Sequence, residues 1–130
     1  MNLDHLLEHL NNGRPIKAES ELHSFMSAYS QEALRITTRL NGAYHTPEEI
    51  LALMEELTGR PVDGSFRMFP PFYTDFGKNI SFGKNVFVNA CCCFQDQGGV
   101  TVGDGSFIGH RVVLATLNHG FEPEDRGAIY

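Results

Sequence analysis

The chain has 130 residues, 42% of them hydrophobic, and its 16 acidic and 10 basic side chains give a formal net charge of -6. This length and composition predict one globular domain. We expect no nucleic-acid partner, because such a surface needs a basic footprint that the sequence lacks. No apolar run approaches membrane-spanning length, and residues 1–5 do not open a signal peptide. We therefore expect no membrane partner and a cytoplasmic location.

The first 60 residues carry apolar side chains at helical spacing. The predicted helices are 1–12, 18–40 and 46–57. Asn41-Gly42 predicts a left-handed end for the second helix. Thr46 followed by proline, with Glu49 three residues on, is typical of a capped helix start.

From Phe76 to His119 the apolar residues recur every six positions. The residues that open the hexads are Phe76, Phe82, Val88 and Phe94 and, after a two-residue slip, Val102, Ile108 and Leu114. Glycine follows four of these openers. A period of six matches neither an α-helix nor a flat strand. It predicts a solenoid of very short strands separated by sharp turns, with the openers stacked in one interior column.

Three consecutive cysteines, Cys91 to Cys93, lie within these hexads. Neighbouring strand residues face opposite sides, so we expect free thiols that fill a tight coil and no disulfide. A reactive thiol is the alternative. The run lacks the spacing of a zinc site, and His5 and His9, although four residues apart, have no third ligand near them in sequence. We expect no metal.

Several stretches resemble the hexapeptide-repeat acyltransferases, in their galactoside and maltose O-acetyltransferase branch. They are F-P-P-F-Y-T-D-F-G-K-N-I-S-F-G at 69–83, F-V-N-A at 87–90, V-T-V-G-D-G at 100–105 and A-T-L-N-H-G-F-E-P-E-D-R at 115–126. The resemblance implies a mainly β fold, a left-handed parallel β-helix with about three hexads per coil. Residues 61–130 would form the coils and end in a loop projecting from Asn118. Residues 1–60 would form a helical cap on the open end, all within one structural unit.

The same resemblance implies an enzyme that transfers an acetyl group directly from acetyl-CoA to a sugar-like hydroxyl. It also implies a homotrimer whose active sites lie between two subunits. Similar chains continue for several more coils that supply most contacts to the coenzyme. We therefore expect either that the sequence is truncated or that the missing half lies on another chain, with the coenzyme-binding residues mainly beyond Tyr130.

The resemblance places the catalytic base at His119, directly after the last hexad. A neutral imidazole can accept a proton near neutral pH and return it. His110, inside a hexad, is the competing candidate. Glu124 is a candidate for orienting His119 or its loop.

Acceptor-binding candidates come from matching positions in the resembling enzymes. They are Asn89, Asp75, Gln97 and Glu21. Gln97 stands where the galactoside enzymes carry an aspartate, and Glu21 is matched only through a weakly similar helix. From the residues alone, Asn89 could equally form a turn, and Asp75 could cap the turn before Gly77.

Two other functions stay open at this stage. One is a truncated, non-catalytic solenoid that folds and forms trimers. The other is a related acetyltransferase with a different acceptor, such as an amino sugar, an antibiotic or a nodulation-type oligosaccharide.

Overall fold

A computed structural model of the chain describes residues 2–119 and 121–125. Helices form its N-terminal part, and short parallel strands form the rest. The three predicted helices are confirmed, with ends that differ by a few residues. They are α1 (Leu3–Asn11), α2 (Glu21–Gly42) and α3 (Pro47–Thr58).

The ends of α2 and α3 show how local sequence and tertiary contacts compete. The Thr46–Glu49 capping box starts α3 as predicted. The predicted left-handed end of α2 at Asn41-Gly42 is wrong, because the helix includes both residues. Instead of capping the helix, the Asn41 side chain donates to the carbonyl of Phe72 at 2.8 Å and accepts from its amide at 2.9 Å. Asn41 therefore anchors α2 to the first coil of strands.

In the part of the chain that the structure describes, eight strands of two to four residues follow the helices. They form three parallel sheets, in the orders β1-β4-β7, β2-β5-β8 and β3-β6. Arg67 pairs with Phe87, which pairs with Phe107, so each coil advances the chain by 20 residues. The strands are β1 (Arg67–Met68), β2 (Phe72–Thr74), β3 (Ile80–Phe82), β4 (Phe87–Val88), β5 (Cys92–Gln95), β6 (Val100–Val102), β7 (Phe107–Ile108) and β8 (Val113–Ala115).

The predicted interior column of hexad openers is confirmed for six of the seven openers. Each pairs with the opener one coil away, and all six pack in one hydrophobic core. The pairs are Phe82 with Val102, Val88 with Ile108, and Phe94 with Leu114. A solenoid of short parallel strands is therefore the architecture of the C-terminal part.

Phe76 is the exception, and reading the first hexad from it is wrong. The register pairs Phe94 with Thr74, so Thr74 is the equivalent residue of the first coil. Phe76 lies two residues later, in the corner after β2, and packs edge-on against Tyr29 of α2 at 5.9 Å between ring centroids. It belongs to a second core cluster, shared with residues of α1 such as Leu6 and Leu10.

One buried carboxylate stabilises the corner in which Phe76 lies. We call residues 75–79, with residues 96–99 of the next coil, the wide corner. The fully buried Asp96 accepts hydrogen bonds from the Thr74 hydroxyl at 2.7 Å and from the amides of Phe76 at 3.0 Å, Gly77 at 2.9 Å and Asn79 at 3.1 Å. These bonds satisfy backbone donors that a turn of this length leaves unpaired.

The helices cover the first coil and share its core. Residues of α2 and α3, among them Leu40, Met54 and Leu57, are buried in the same cluster as Phe72 and Ile80. No helix among the described residues has both the length and the apolar composition to cross a membrane.

The three cysteines are free thiols, as predicted. Cys92 is buried in the core and fills the coil, whereas Cys91 is exposed in a left-handed turn with φ 67°. Within residues 2–119 and 121–125, no cluster of three or more His, Cys, Asp or Glu side chains could hold a metal ion.

Candidate active site

Two of the predicted acceptor residues line one groove at the wide corner. The groove has a volume of about 270 Å³ and lies between α2 and the corner. Asp75 and Gln97 reach it from neighbouring coils: the 20-residue register places Asp75 beside Gln95, and Gln97 follows two residues later in the corner. The lining residues are Ser30, Leu34, Thr74, Asp75 and Gln97.

Asp75 presents a carboxyl group with an altered proton affinity. It follows β2 on the outer side of the coil, and its amide donates to the carbonyl of Phe94 at 3.1 Å. Burial of the carboxyl group and, next, the charge of Asp96 raise the pKa of Asp75, while a hydrogen bond from Gln95 opposes that rise. The group is thereby easier to protonate than an ordinary aspartate.

Gln97 brings an unsatisfied acceptor to the groove. Its side chain is 6% exposed, and its Oε1 has no hydrogen-bond partner among the described residues. A buried polar atom left in this state costs about 1–3 kcal/mol. Gln97 thus brings to the groove lining a side chain whose acceptor has no donor among the described residues.

Asn89 lies at a different corner, between β4 and β5. Its Oδ1 accepts from the amide of Ala90 at 2.8 Å, and its own amide donates to the carbonyl of Ile108 at 2.8 Å. The structure thus shows the turn-forming interaction that the sequence left open. Asn89 is not among the residues that line the groove at the wide corner.

His119 lies in the segment after β8 and is exposed. Its amide donates to Oδ1 of Asn118 at 2.9 Å. His119 is not among the lining residues of the groove either. The competing candidate His110 is exposed in the turn that follows β7.

The remaining candidates, Glu21 and Glu124, also lie outside the groove lining. Glu21 is the exposed first residue of α2. Glu124 is exposed within a short 3-10 helix, Pro123–Asp125. The predicted projecting loop, 118–130, falls partly on residues 120 and 126–130, which lie outside the described residues.

Sequence reasoning missed Gln95, the last residue of β5. Its Oε1 accepts from the amide of Leu117 at 3.0 Å, and hydrogen bonding by its side chain lowers the pKa of Asp75, its neighbour one coil earlier. The available signal was a polar residue at an outward position, one coil after Asp75. Reading the hexads from Phe76 hid that relationship.

Comparisons with known proteins give the same class of protein repeatedly. No family model matches the chain. It is 44% identical over 59 residues to nodulation protein L of Rhizobium meliloti, a match that covers 45% of this chain and 32% of the relative. It is 42% identical over 77 residues to a putative acetyltransferase of Staphylococcus haemolyticus, covering 59% and 40%. The chain spans about a third of the length of the curated relatives that it matches first.

Solved structures show the same fold over nearly the whole chain. A hexapeptide-repeat containing acetyltransferase of Vibrio cholerae is 25% identical with a TM-score of 0.76, covering 98% of this chain and 66% of that one. A maltose O-acetyltransferase of Clostridium difficile is 24% identical with a TM-score of 0.80, covering 95% and 66%. A galactoside acetyltransferase in complex with coenzyme A is 22% identical with a TM-score of 0.75, covering 96% and 62%.

These comparisons confirm the resemblance predicted from the sequence. The relatives are named acetyltransferases or a nodulation protein, and the structural neighbours are hexapeptide-repeat, maltose and galactoside acetyltransferases. The Vibrio cholerae protein has also been solved in complex with acetyl-CoA.

Proposed function

We propose that this protein transfers an acetyl group from acetyl-CoA to the hydroxyl of a sugar-like acceptor. The observation that carries the proposal is the groove at the wide corner, which Asp75 and Gln97 line together, Gln97 with an unpartnered Oε1. Groups of this kind bind hydroxyls of a polar ligand. Support for the acetyl donor comes from the similar structures that contain coenzyme A or acetyl-CoA.

In the proposed reaction His119 acts as general base. Its neutral imidazole accepts the proton of the acceptor hydroxyl as that oxygen attacks the thioester carbonyl. The C–S bond then breaks, and the imidazolium returns the proton to the departing sulfur, so no covalent enzyme intermediate forms. Glu124 is the candidate that orients His119.

Acceptor binding is assigned to Asp75, Gln97, Asn89 and Glu21. Because only the first two line one groove within a chain, the proposal places the active site between subunits of a homotrimer. The proposal also includes a left-handed sense for the β-helix, a helical cap at 1–60 followed by coils at 61–130, and a cytoplasmic location.

The test is thiol release from acetyl-CoA with a panel of sugars and amino sugars. His119→Ala should lower kcat about 10²- to 10⁴-fold, because a positioned base contributes that much. His110→Ala, which removes the other imidazole of the last coil, is the matched control and should retain turnover.

Different outcomes of this assay separate the alternatives. Turnover of His119→Ala within tenfold of the unaltered protein would remove His119 from the base role. A folded, associated protein that releases no thiol with any acceptor would support the non-catalytic solenoid instead. Preference for one acceptor in the panel identifies the substrate class.

A further inference from the structure

Gln95 makes contacts in two directions from the end of β5. Its Oε1 accepts a hydrogen bond from the amide of Leu117 at 3.0 Å. Asp75 lies one coil earlier and is the neighbour of Gln95 in the 20-residue register. Hydrogen bonding by the Gln95 side chain lowers the pKa of that carboxyl group, and the amide nitrogen is the group that can donate to an ionised carboxylate. The half-buried Gln95 side chain thus lies between groups of the first and third coils.

The segment that Gln95 contacts is attached closely to the second coil. The amide of Thr116 donates to the backbone carbonyl of Gln95 at 3.2 Å, and the Thr116 hydroxyl donates to the same carbonyl at 2.5 Å. That hydroxyl also accepts from the amide of Gly98 at 2.8 Å. A Cβ on Gly98 would lie 2.7 Å from the Thr116 carbonyl oxygen, so this approach requires glycine. The chain leaves these contacts two residues before His119.

We propose that Gln95 is a positioning residue that fixes the acceptor group Asp75 and the root of the His119 segment relative to one another. This inference rests on the proposed function, which gives Asp75 and His119 their roles. Gln95 itself touches neither reacting atom in this account. Its contribution is to hold Leu117, and thereby the segment leading to His119, in a fixed register with the wide corner.

Two substitutions separate the two contacts. Gln95→Glu keeps an oxygen that can accept from the Leu117 amide, but it loses the donor to Asp75 and adds a negative charge beside it. Gln95→Met has similar length and loses both contacts. Gln31 is exposed on α2, so Gln31→Glu and Gln31→Met are matched controls.

The experiment measures two NMR readouts in the 130-residue chain: the titration midpoint of the Asp75 carboxyl carbon and the hydrogen-exchange rate of the Leu117 amide. Gln95→Met should speed exchange at Leu117 about tenfold, the effect of losing one hydrogen bond. Gln95→Glu should leave that exchange within about twofold while raising the Asp75 midpoint more than Gln95→Met does.

Unchanged exchange at Leu117 in Gln95→Met, with a native melting temperature, would overturn the inference. Equal acceleration in both Gln95 variants would also overturn it, because the acceptor oxygen would then have no specific role. Neither readout depends on acetyl transfer. A failure here is therefore distinguishable from a failure of the proposed activity, which the thiol-release assay tests.

Discussion

Asp96 organises the wide corner, and with it the groove. Its two carboxylate oxygens accept four hydrogen bonds from residues 74–79, and the side chain is completely buried. Oδ1 accepts three of the bonds and Oδ2 accepts the bond from Asn79. A buried carboxylate is stable only when its acceptor positions are filled in this way.

Asp96→Asn should therefore destabilise the protein by about 3 kcal/mol, measured as the free energy of unfolding in urea. The amide retains one acceptor oxygen but directs a donor at the donating amide of Asn79. Asp104→Asn is the matched control, since Asp104 accepts one bond from the Lys84 amide at 2.7 Å at an exposed corner. Asp104→Asn should lower the free energy of unfolding by less than about 1 kcal/mol. Equal losses for the two variants would contradict this account of the corner.

The raised pKa of Asp75 has a measurable effect on stability. Because the folded state binds this proton more tightly than the unfolded chain, the stabilising contribution is complete below the ordinary aspartate pKa and is lost as pH rises through the raised value. Asp75→Asn stays neutral. Its melting temperature should match that of the unaltered protein below about pH 4 and exceed it slightly at neutral pH.

Asp63→Asn is the control for Asp75→Asn, because the pKa of Asp63 is lowered whereas that of Asp75 is raised. Hydrogen bonds from the hydroxyl and amide of Ser65 lower the pKa of Asp63, so its contribution is present at neutral pH and is lost as pH falls through the lowered value. This variant should melt below the unaltered protein at neutral pH. A melting difference for Asp75→Asn that is the same at acid and neutral pH would show that its carboxyl pKa is not raised.

At the scale of elements, α3 and the wide corner are held together by a close backbone approach. Gly77 has φ +82°, and a Cβ there would lie 2.7 Å from Cδ1 of Leu57 and 3.0 Å from its carbonyl oxygen. The adjacent Lys78 donates to the carbonyls of Glu56 at 3.1 Å and Leu57 at 2.8 Å, and so satisfies the C-terminal end of the helix. The wide corner thus lines the groove and also binds the C-terminal end of α3.

Gly77→Ala should lower the free energy of unfolding by about 3 kcal/mol. A left-handed conformation strains alanine by about 1–2 kcal/mol, and the clash with Leu57 adds a similar amount. Gly105→Ala isolates the first of these effects. Gly105 has φ +74°, and a Cβ there would have nothing within 4 Å, so this variant should lower the free energy of unfolding by about 1 kcal/mol. Urea unfolding measures both. Equal losses would mean that α3 moves away from the corner without cost.

The hexad period predicted the interior column because burial alone selects the apolar openers, as the pairs Phe82–Val102 and Phe94–Leu114 show. It did not predict the wide corner. Thr74 fills an opener position with a polar side chain, because its hydroxyl bonds Asp96. Similarly, Asn41-Gly42 is a sequence typical of a helix end, but α2 continues through it while the Asn41 side chain hydrogen-bonds the backbone of Phe72. Where a polar side chain serves a tertiary hydrogen bond, the local pattern misassigns it.

The candidate site could likewise be predicted only in part, because its polar contacts join different coils. The sequence supplied Asp75 and Gln97 through resemblance, and the structure shows that both line one groove from neighbouring coils. Gln95 escaped notice because its importance lies in two contacts with other coils, and a single sequence does not show which coils face each other.

At the scale of the whole molecule, the proposed site has two parts. Asp75 and Gln97 line the groove, whereas His119 follows β8 and is not among the lining residues of the same chain. General-base catalysis requires the base within hydrogen-bond distance of the acceptor hydroxyl. A homotrimer meets this requirement if the groove of one subunit receives His119 from its neighbour.

Mixing inactive subunits tests this arrangement. In a 1:1 mixture of Asp75→Ala and His119→Ala chains, unfolded and refolded together, about one quarter of shared sites would pair an intact groove with an intact His119. Thiol release should recover to about that fraction of the unaltered protein. A mixture of the Asp75→Ala/His119→Ala double variant with unaltered chains should also give about one quarter. If instead each site used one chain only, the first mixture would stay inactive and the second would retain about one half, so the two ratios together decide where His119 acts.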